Sequence, residues 1–463
     1  MIEMKPRGYE DIKELAAAEH TKVESLLVLA RQNDPFFAGA PAQRTKAEWF
    51  ARLWRKYGYR DGVHLRRVHY QIVSNREQKA DGTPYQNTDN CWNYLCEAAK
   101  AARYLRLVRV DSFVDRRNPP AQVHVTERWD NPSPEWRVSS PDWILPEINV
   151  DLADDLELEM PEPYVNGYDY EDGDQPVHCE VWCEKSTMND VLEPLCRQMG
   201  ANFVTSLGFQ SITSVADLLG RARAAAERGR PTRILYISDY DPAGDAMPVA
   251  VARQVEYWQQ EFAPEADIAL QPIVLTKAQV RQYRLPTIPI KESDLRAANF
   301  EARTGMAGAV ELDALEALHP GVLAEIVREA IEPYRDTSLN RRLREARAEA
   351  QTTIGEEWKD ATEEERERLG NLHVAVRRIL GTYKERLQAL HDELAEELAP
   401  YQEALDNLAY DVNTARNGLD VELPERPGPE RDDADESEWL FASSRDYEEQ
   451  LGIYQARKRG ETY

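Results

Sequence analysis

Apolar side chains recur every three or four residues through the first hundred positions of the chain, which is the spacing of amphipathic helices. Residues 10–33 follow this spacing and predict an N-terminal helical arm. Three further helices are predicted at residues 45–57, 64–74 and 88–104. Two short apolar runs, 107–114 and 122–126, predict strands on either side of the turn DRRNPP. Three helices closed by a β-hairpin form the winged-helix pattern, which commonly binds nucleic acid.

After residue 176 short apolar runs alternate with amphipathic segments. The runs predict strands at residues 177–183, 202–206, 233–237 and 268–275, with helices between them at 190–199, 214–228 and 247–262. Alternation at this spacing predicts a parallel α/β sheet. From residue 337 to 415 Glu, Arg, Leu and Ala dominate, and apolar residues recur at helical spacing. This region predicts a long amphipathic helix or an antiparallel helical hairpin.

The net charge of the 463 residues is −26, from 57 basic and 83 acidic side chains, and as a total it argues against a nucleic-acid partner. The charge is unevenly distributed, however. Residues 43–120 hold 16 Lys and Arg against 8 acids, residues 145–175 hold 11 acids and no base, and residues 420–450 hold 12 acids and 3 bases. The acidic stretches are expected to be a solvated linker and tail. The alternative is that they mimic nucleic acid and cover the basic module.

Several classes of protein are excluded or disfavoured by composition. No apolar run approaches the roughly 18 residues of a membrane helix, and the first residues lack the apolar core of a secretory signal. Five cysteines are an odd number and suit a reducing cytoplasm rather than a disulfide framework. No phosphate-binding loop typical of ATPases is visible, so any dependence on ATP is expected to come from a separate ATPase subunit.

The strongest chemical signal is the segment ILYISDYDPAGDAM, in which Asp239 and Asp241 follow an apolar strand. Alternate positions point the same way, and Glu184 occupies the equivalent place after the first strand of the sheet. Ligands of parallel sheets bind at the carboxyl ends of the strands. Three carboxylates at that edge repel one another, and a divalent cation relieves the repulsion. The pattern therefore predicts a Mg²⁺ or Mn²⁺ site for phosphoryl-transfer chemistry, although two Asp residues alone are common in surface turns.

A strand followed by Glu, and 55 residues later a strand followed by DxDPxG, resembles the Toprim domain of topoisomerases, primases and several nucleases. Gly208 and Ser211 in TSLGFQSIT match its second strand and turn. The segments LTKAQVRQYRLPTIPIKESD and ELDAL resemble the Toprim extension of the topoisomerase VI A subunit and its meiotic double-strand-break relatives. Ala243 departs from the third acid of the type IIA enzymes.

That family carries its nucleophilic tyrosine in a winged helix that precedes Toprim, and this chain reads Leu-Arg-Arg-Val-His-Tyr at residues 65–70. The resemblance places Tyr70 at the nucleophile and Arg66 at the family arginine, and it implies a reversible phosphotyrosine. A phenol with an ordinary pKa of about 10 needs help from Arg66, Arg67 or the metal. Arg67 and His69 depart from the family pattern, and the alternative is that Tyr70 is a core aromatic. Six arginines are expected to contact phosphate: Arg67, Arg103, Arg106, Arg109, Arg116 and Arg117. The alternative is that they form a solvated basic face without a ligand.

The sequence therefore predicts an α/β fold with α+β character: a winged-helix domain, a Toprim domain and a long helical C-terminal region. The predicted divisions are an arm at 1–40, a winged helix at 41–128, an acidic linker at 129–176, Toprim at 177–335, long helices at 336–416 and a mobile tail at 417–463. The leading hypothesis is a cytoplasmic, Mg²⁺-dependent DNA-cleaving enzyme in which Glu184, Asp239 and Asp241 hold the metal. The family resemblance implies a homodimer, because there the tyrosine of one subunit meets the acids of the other. The alternatives are a Toprim nuclease that uses metal-activated water, with a partner ATPase in a defence or mobile-element system, and a non-catalytic DNA-binding scaffold.

Overall fold

The structure is a computed structural model that describes residues 5–114, 118–127, 132–145, 156–206, 208–290, 294, 296–306, 308–383, 391–431, 434, 436 and 438–460. The chain divides into two compact units. Unit 1 comprises Met1–Glu127, Gln175–Asp336 and Arg431–Tyr463, and unit 2 comprises Arg128–Asp174 and Thr337–Glu430. Helices and a mainly parallel sheet are both present, so the general α/β prediction is confirmed.

The helices are, in chain order, α1 (Tyr9–Ala18), α2 (Pro41–Lys56), α3 (Leu65–Ser74), α4 (Asp89–Tyr104), α5 (Asn189–Gln198), α6 (Ile212–Ala226), α7 (Pro242–Phe262), α8 (Lys277–Gln282), α9 (Ala297–Thr304), α10 (Leu312–Leu318), α11 (Val322–Ile331), α12 (Leu339–Ala361), α13 (Glu363–Tyr383), α14 (His391–Gly418) and α15 (Tyr447–Arg459). The strands are β1 (Glu135–Arg137), β2 (Tyr164–Asn166), β3 (His178–Cys183), β4 (Asn202–Thr205), β5 (Thr232–Ile237), β6 (Ile268–Val274) and β7 (Phe441–Ala442). Among the described residues no helix combines the length and the apolar character needed to cross a bilayer.

The three helices predicted between residues 45 and 104 are confirmed as α2, α3 and α4. Thr88 caps α4, because its hydroxyl accepts a hydrogen bond from the Cys91 amide at 3.3 Å. Trp49 and Phe50 of α2 are buried against the apolar faces of α3 and α4 and form a core of their own. The N-terminal arm is less helical than predicted, because α1 ends at Ala18 and a short 3₁₀ helix follows at Val23–Leu26.

The β-hairpin predicted from residues 107–114 and 122–126 is wrong. Phe113 forms an isolated bridge with Val63, whereas Gln122 pairs with Phe203 of β4. The Gln122 amide donates to the Phe203 carbonyl at 2.7 Å, and the Phe203 amide donates back at 2.9 Å. Because β4 lies at the edge of the sheet, its backbone N–H and C=O groups are available for hydrogen bonds. They bond Gln122, which was expected to belong to the second strand of the hairpin.

The sheet of unit 1 has the strand order β4-β3-β5-β6-β7. The predicted parallel pairing is confirmed for β4 with β3, β3 with β5 and β5 with β6. All residues of β3, β4 and β5 are buried, and apolar side chains form separate cores on the two faces of the sheet. Such continuous burial is typical of parallel strands covered by helices on both faces.

The acidic stretches differ from the predicted linker and tail. In the described part of the tail, β7 adds an antiparallel edge to the sheet and α15 buries Tyr447 and Tyr454 in the core of unit 1. In the acidic stretch Leu156, Leu158 and Met160 are buried in the core of unit 2, while the acids between them are exposed. Apolar and acidic residues alternate here, so the apolar side chains are buried on one side while the acids face solvent. The total charge of the segment had suggested that all of it would be solvated.

A buried charge network holds the centre of the sheet. Glu180 of β3 is fully buried and accepts two hydrogen bonds from Arg221 of α6, at 2.6 and 2.9 Å, and one from the Trp182 indole at 2.8 Å. Burial by itself raises the pKa of Glu180, but the Arg221 guanidinium outweighs it, so the pKa lies well below its ordinary value. The network therefore connects α6 to the middle of the strand that leads to Glu184.

We predict that Glu180→Gln lowers the free energy of unfolding by about 3 kcal/mol, because it leaves the Arg221 charge without its buried partner. The measurement is urea denaturation at neutral pH, followed by tryptophan fluorescence. The matched control is Glu227→Gln, which breaks an exposed ion pair between Arg223 and Glu227 at the end of α6. It should change the free energy of unfolding by less than about 0.5 kcal/mol.

The effect of Glu180→Gln has a defined pH dependence, because the pKa of Glu180 is lowered in the folded state. The stabilisation is fully present above the unfolded-state pKa of about 4.3 and is lost as the pH falls from there towards the folded-state pKa. The difference between the native protein and the variant should therefore shrink below about pH 4. A variant as stable as the Glu227→Gln control at neutral pH would contradict the account.

Candidate active site

The parallel pairing of β3 with β5 brings two of the predicted acids together. Cys183 and Ile237, the last residues of these strands, are in register, and the Glu184 amide donates to the Ile237 carbonyl at 3.1 Å. Glu184 is therefore level with Ser238, the residue before Asp239. The Asp239 amide donates to Glu184 Oε1 at 3.1 Å, so the two residues are in direct contact.

Glu184 is nearly buried and only partly satisfied. The residue is 7% exposed, and among the described residues no donor reaches its second carboxylate oxygen, Oε2. Burial, and then the negative charge of Asp239, raises the pKa of Glu184 to about 8. A buried carboxylate oxygen without a partner is costly, and a cation or a proton would relieve the cost.

Asp239 is positioned by a backbone amide and a lysine. Its Oδ1 accepts a hydrogen bond from the Leu312 amide at 2.6 Å, and its Oδ2 lies 3.2 Å from Lys185 Nζ. Burial raises the pKa of Asp239, although the Leu312 amide and the Lys185 charge both act in the opposite direction. The carboxylate is therefore held in one orientation at the end of β5.

Asp241 begins α7 and faces a cleft of about 430 Å³ that Asp239 also lines. Its Oδ1 accepts a hydrogen bond from the Gly244 amide at 2.6 Å, and Pro242 occupies the first position of the helix. Arg296 and Glu311 line the same cleft. The two aspartates of the DxD motif thus reach one cavity, although both lie beyond the end of β5, in the turn that leads into α7.

Sequence reasoning missed Lys185 and its partners. Lys185 Nζ lies 3.3 Å from Glu311 and contacts Asp313, in addition to Asp239. Burial by itself lowers the pKa of Lys185, but Asp313 and Asp239 outweigh it and raise the pKa. Lys185 follows Glu184 in the motif CEKS, and Glu311 and Asp313 lie in the segment ELDAL. The two motifs are visible in the sequence, but they are more than 120 positions apart, so their contact is not.

The third acid of the segment DYDPAGD, Asp245, does not join the cleft. Asp245 forms ion pairs with Arg303 at 2.5 Å and with Arg457 of α15 at 3.1 Å. It faces a separate cavity that is lined by α4, α7 and α15. Its role, which the sequence left open, is to pair with two arginines next to the acid cluster.

Tyr70 lies on the exposed face of α3, with 57% of its surface accessible. Arg66 and Arg67 are exposed one helical turn earlier, at the spacing that places them beside Tyr70. His69 is the buried residue here, and its ring bonds Tyr85 and Asn87. The interpretation of Tyr70 as a core aromatic is therefore wrong. Tyr70 is also absent from the described residues that line the acid cleft.

The predicted phosphate-contact arginines have different surroundings. Arg67 is exposed, Arg106 is ion-paired with Glu261, and Arg109 bonds Asp111 at 2.6 and 3.0 Å. Arg103 lies over the Phe113 ring at 4.9 Å. Arg116 and Arg117 lie outside the described residues. Contact with phosphate by these arginines stays a prediction.

The donor set at the cleft fits a hard divalent cation. In the part of the chain that the structure describes, no three His, Cys, Asp or Glu side chains are close enough to enclose a metal by themselves. Mg²⁺ requires less than that, because it takes one or two carboxylates and keeps several waters. Asp239 and Asp241, which both line the cleft, supply such donors. Glu184 does not line the cleft, but it contacts Asp239 and keeps its Oε2 without a donor among the described residues.

Comparison with known proteins adds no assignment. No protein-family model matches the chain, and no curated protein matches it.

The turn after Asp239 requires glycine at position 244. A Cβ added to Gly244 would lie 2.1 Å from the Asp239 carbonyl oxygen, which is backbone and cannot move aside cheaply. We predict that Gly244→Ala lowers the free energy of unfolding by about 2 kcal/mol. Gly220→Ala in α6 is the matched control, since its Cβ meets nothing within 4 Å, and it should be neutral or stabilising by up to about 1 kcal/mol. Urea denaturation of both variants decides, and equal stability would contradict the close approach.

Proposed function

We propose that this protein is a Mg²⁺- or Mn²⁺-dependent enzyme that cleaves phosphodiester bonds in DNA, with a Toprim-like part in unit 1. The proposed DNA-binding part is formed by α2, α3 and α4, which correspond to the three helices of a winged helix without the predicted β-hairpin. The observation that carries the proposal is the contact between Glu184 and Asp239 at the carboxyl edge of a parallel sheet, where Glu184 keeps an unpartnered buried oxygen. Five unpaired cysteines support a reducing, cytoplasmic setting.

Each residue of the cleft has a distinct task in this proposal. Glu184, Asp239 and Asp241 would hold the cation, which would supply positive charge to the scissile phosphate. The Leu312 amide and Lys185 keep Asp239 in place. Arg296, which lines the cleft and pairs with Asp294 at 2.8 Å, supplies a second positive charge to the phosphate. A second role proposed for Glu184 is that of a general acid or base at the reacting phosphate.

Tyr70 is the proposed nucleophile. Its exposed phenol lies one turn after Arg66 and Arg67, whose charges favour the phenolate that attacks phosphorus. Because Tyr70 does not line the cleft of its own chain, the proposal includes a homodimer in which it reaches the acids of a second copy. A water nucleophile, with a separate ATPase subunit, is the competing chemistry, and it is favoured by the same separation of Tyr70 from the cleft.

The test is incubation of the full chain with supercoiled plasmid and Mg²⁺, followed by a detergent quench. We expect cut DNA that carries covalently attached protein. Attachment should be lost in Tyr70→Phe and retained in Tyr410→Phe, a matched exposed tyrosine of unit 2. All cleavage should be lost in Asp239→Asn, because that variant removes a donor for the cation.

Two outcomes would contradict parts of this proposal. Cleavage that survives Tyr70→Phe but not Asp239→Asn assigns hydrolysis by water instead of a phosphotyrosine. Binding without cleavage, with Mg²⁺ and with candidate ATPase partners present, would leave a DNA-binding scaffold.

A further inference from the structure

A second cavity, of about 660 Å³, lies in unit 1 on the other side of the start of α7 from the acid cleft. It is lined by α4, the start of α6, α7, α9 and α15, together with residues 28–33. Its volume is that of a site for a small organic ligand. Pro242 and Arg296 line both cavities, but Glu184, Asp239 and Asp241 do not line this one.

The cavity is strongly basic. Its described lining includes six cationic side chains and one acid, Asp245, which pairs with two of the six, while a third cation, Arg296, pairs with Asp294. The six are Lys100, Arg103, Arg296, Arg303, Arg457 and Lys458. Burial lowers the pKa of Lys100 and of Lys458, and a bound anion would offset that cost. The charge of the cavity therefore favours an anionic ligand with several negative oxygens.

Buried polar atoms without partners line the same cavity. Gln210 is 7% exposed and both polar atoms of its amide lack a hydrogen-bond partner among the described residues. Gln254 Oε1 and the Tyr454 hydroxyl are likewise unpartnered, in residues that are 8% and 1% exposed. Buried polar groups are nearly always satisfied, so three such side chains around one cavity indicate a polar ligand that completes them.

Aromatic rings complete the lining. Phe209 is exposed despite its size, with Arg296 at 5.8 Å from its ring, and Phe300 and Tyr104 also face the cavity. Aromatic faces stack on nucleobases, and a glutamine amide can donate to and accept from the edge of a base. Cations, amides and rings together match the phosphate, base edge and base face of a nucleotide.

We propose that this cavity binds a nucleoside phosphate, either a free nucleotide or the phosphorylated terminal nucleotide of a nucleic-acid strand. The cations hold the phosphate, Gln210 and Gln254 bond the base, and Tyr454 supplies a hydroxyl. This site does not depend on the proposed strand cleavage, because its residues are distinct from the acids that would hold the metal.

The test is isothermal titration calorimetry of the full chain with dAMP, with inorganic phosphate, and with an octadeoxyadenylate that carries a 5′-phosphate or a 5′-hydroxyl. We expect Lys100→Gln to weaken binding about tenfold, because it removes one of the cations. Tyr454→Phe should weaken binding about fivefold without lowering thermal stability, because its hydroxyl has no partner among the described residues. Tyr236→Phe is the matched control, since it removes another unpartnered buried hydroxyl that does not line the cavity.

The probes separate the two sources of the ligand. Binding of dAMP but not of the strands assigns a free nucleotide, and strand binding that requires the 5′-phosphate assigns a strand end. The same titrations in Asp239→Asn should be unchanged even where DNA cleavage is absent, so failure of one proposal is distinguishable from failure of the other. Absence of binding to every probe, equal affinity for phosphate and dAMP, or variants that bind like Tyr236→Phe would overturn the assignment.

Discussion

The candidate site depends on one constraint, which is the parallel register between β3 and β5. Parallel strands end at the same edge of a sheet, and the pairing of Cys183 with Ile237 sets the residues that follow them level. This register puts Glu184 level with Ser238, the residue before Asp239, and so brings together two acids that are 55 positions apart in the chain. The pairing is supported from within the sheet by Glu180, whose bidentate pair with Arg221 ties β3 to α6.

Charge is compensated locally, although the chain as a whole is strongly acidic. Lys185 forms ion pairs with Asp239, Glu311 and Asp313 beside the cleft. Two arginines form ion pairs with Asp245 in the neighbouring cavity. What remains beside Asp239 is a buried oxygen of Glu184 that has no donor among the described residues. The start of α7 thus separates an acidic cleft suited to a cation from a basic cavity suited to a phosphate.

Sequence periodicity was sufficient for most elements of unit 1, because helical and strand spacing are local properties. It failed where distant segments compete for the same partner. Gln122 pairs with the edge strand β4 rather than with residues near Phe113, and β7 comes from a tail whose charge suggested mobility. The DxD and Glu motifs located the acids because these residues follow parallel strands, which end at one edge of the sheet. The ion pairs of Lys185 and Asp245 join residues far apart in the chain, and no local pattern encodes such contacts.

The central claim is that Glu184, Asp239 and Asp241 form a divalent-cation site, and Mn²⁺ binding followed by electron paramagnetic resonance tests it most directly. The account predicts a site in the native protein whose affinity falls about tenfold or more in Asp239→Asn, because a first donor is lost. Asp245 lies in the same segment as Asp239, DYDPAGD, but pairs with Arg303 and Arg457. The variant Asp245→Asn should therefore bind Mn²⁺ like the native protein. Native affinity in Asp239→Asn would contradict the account.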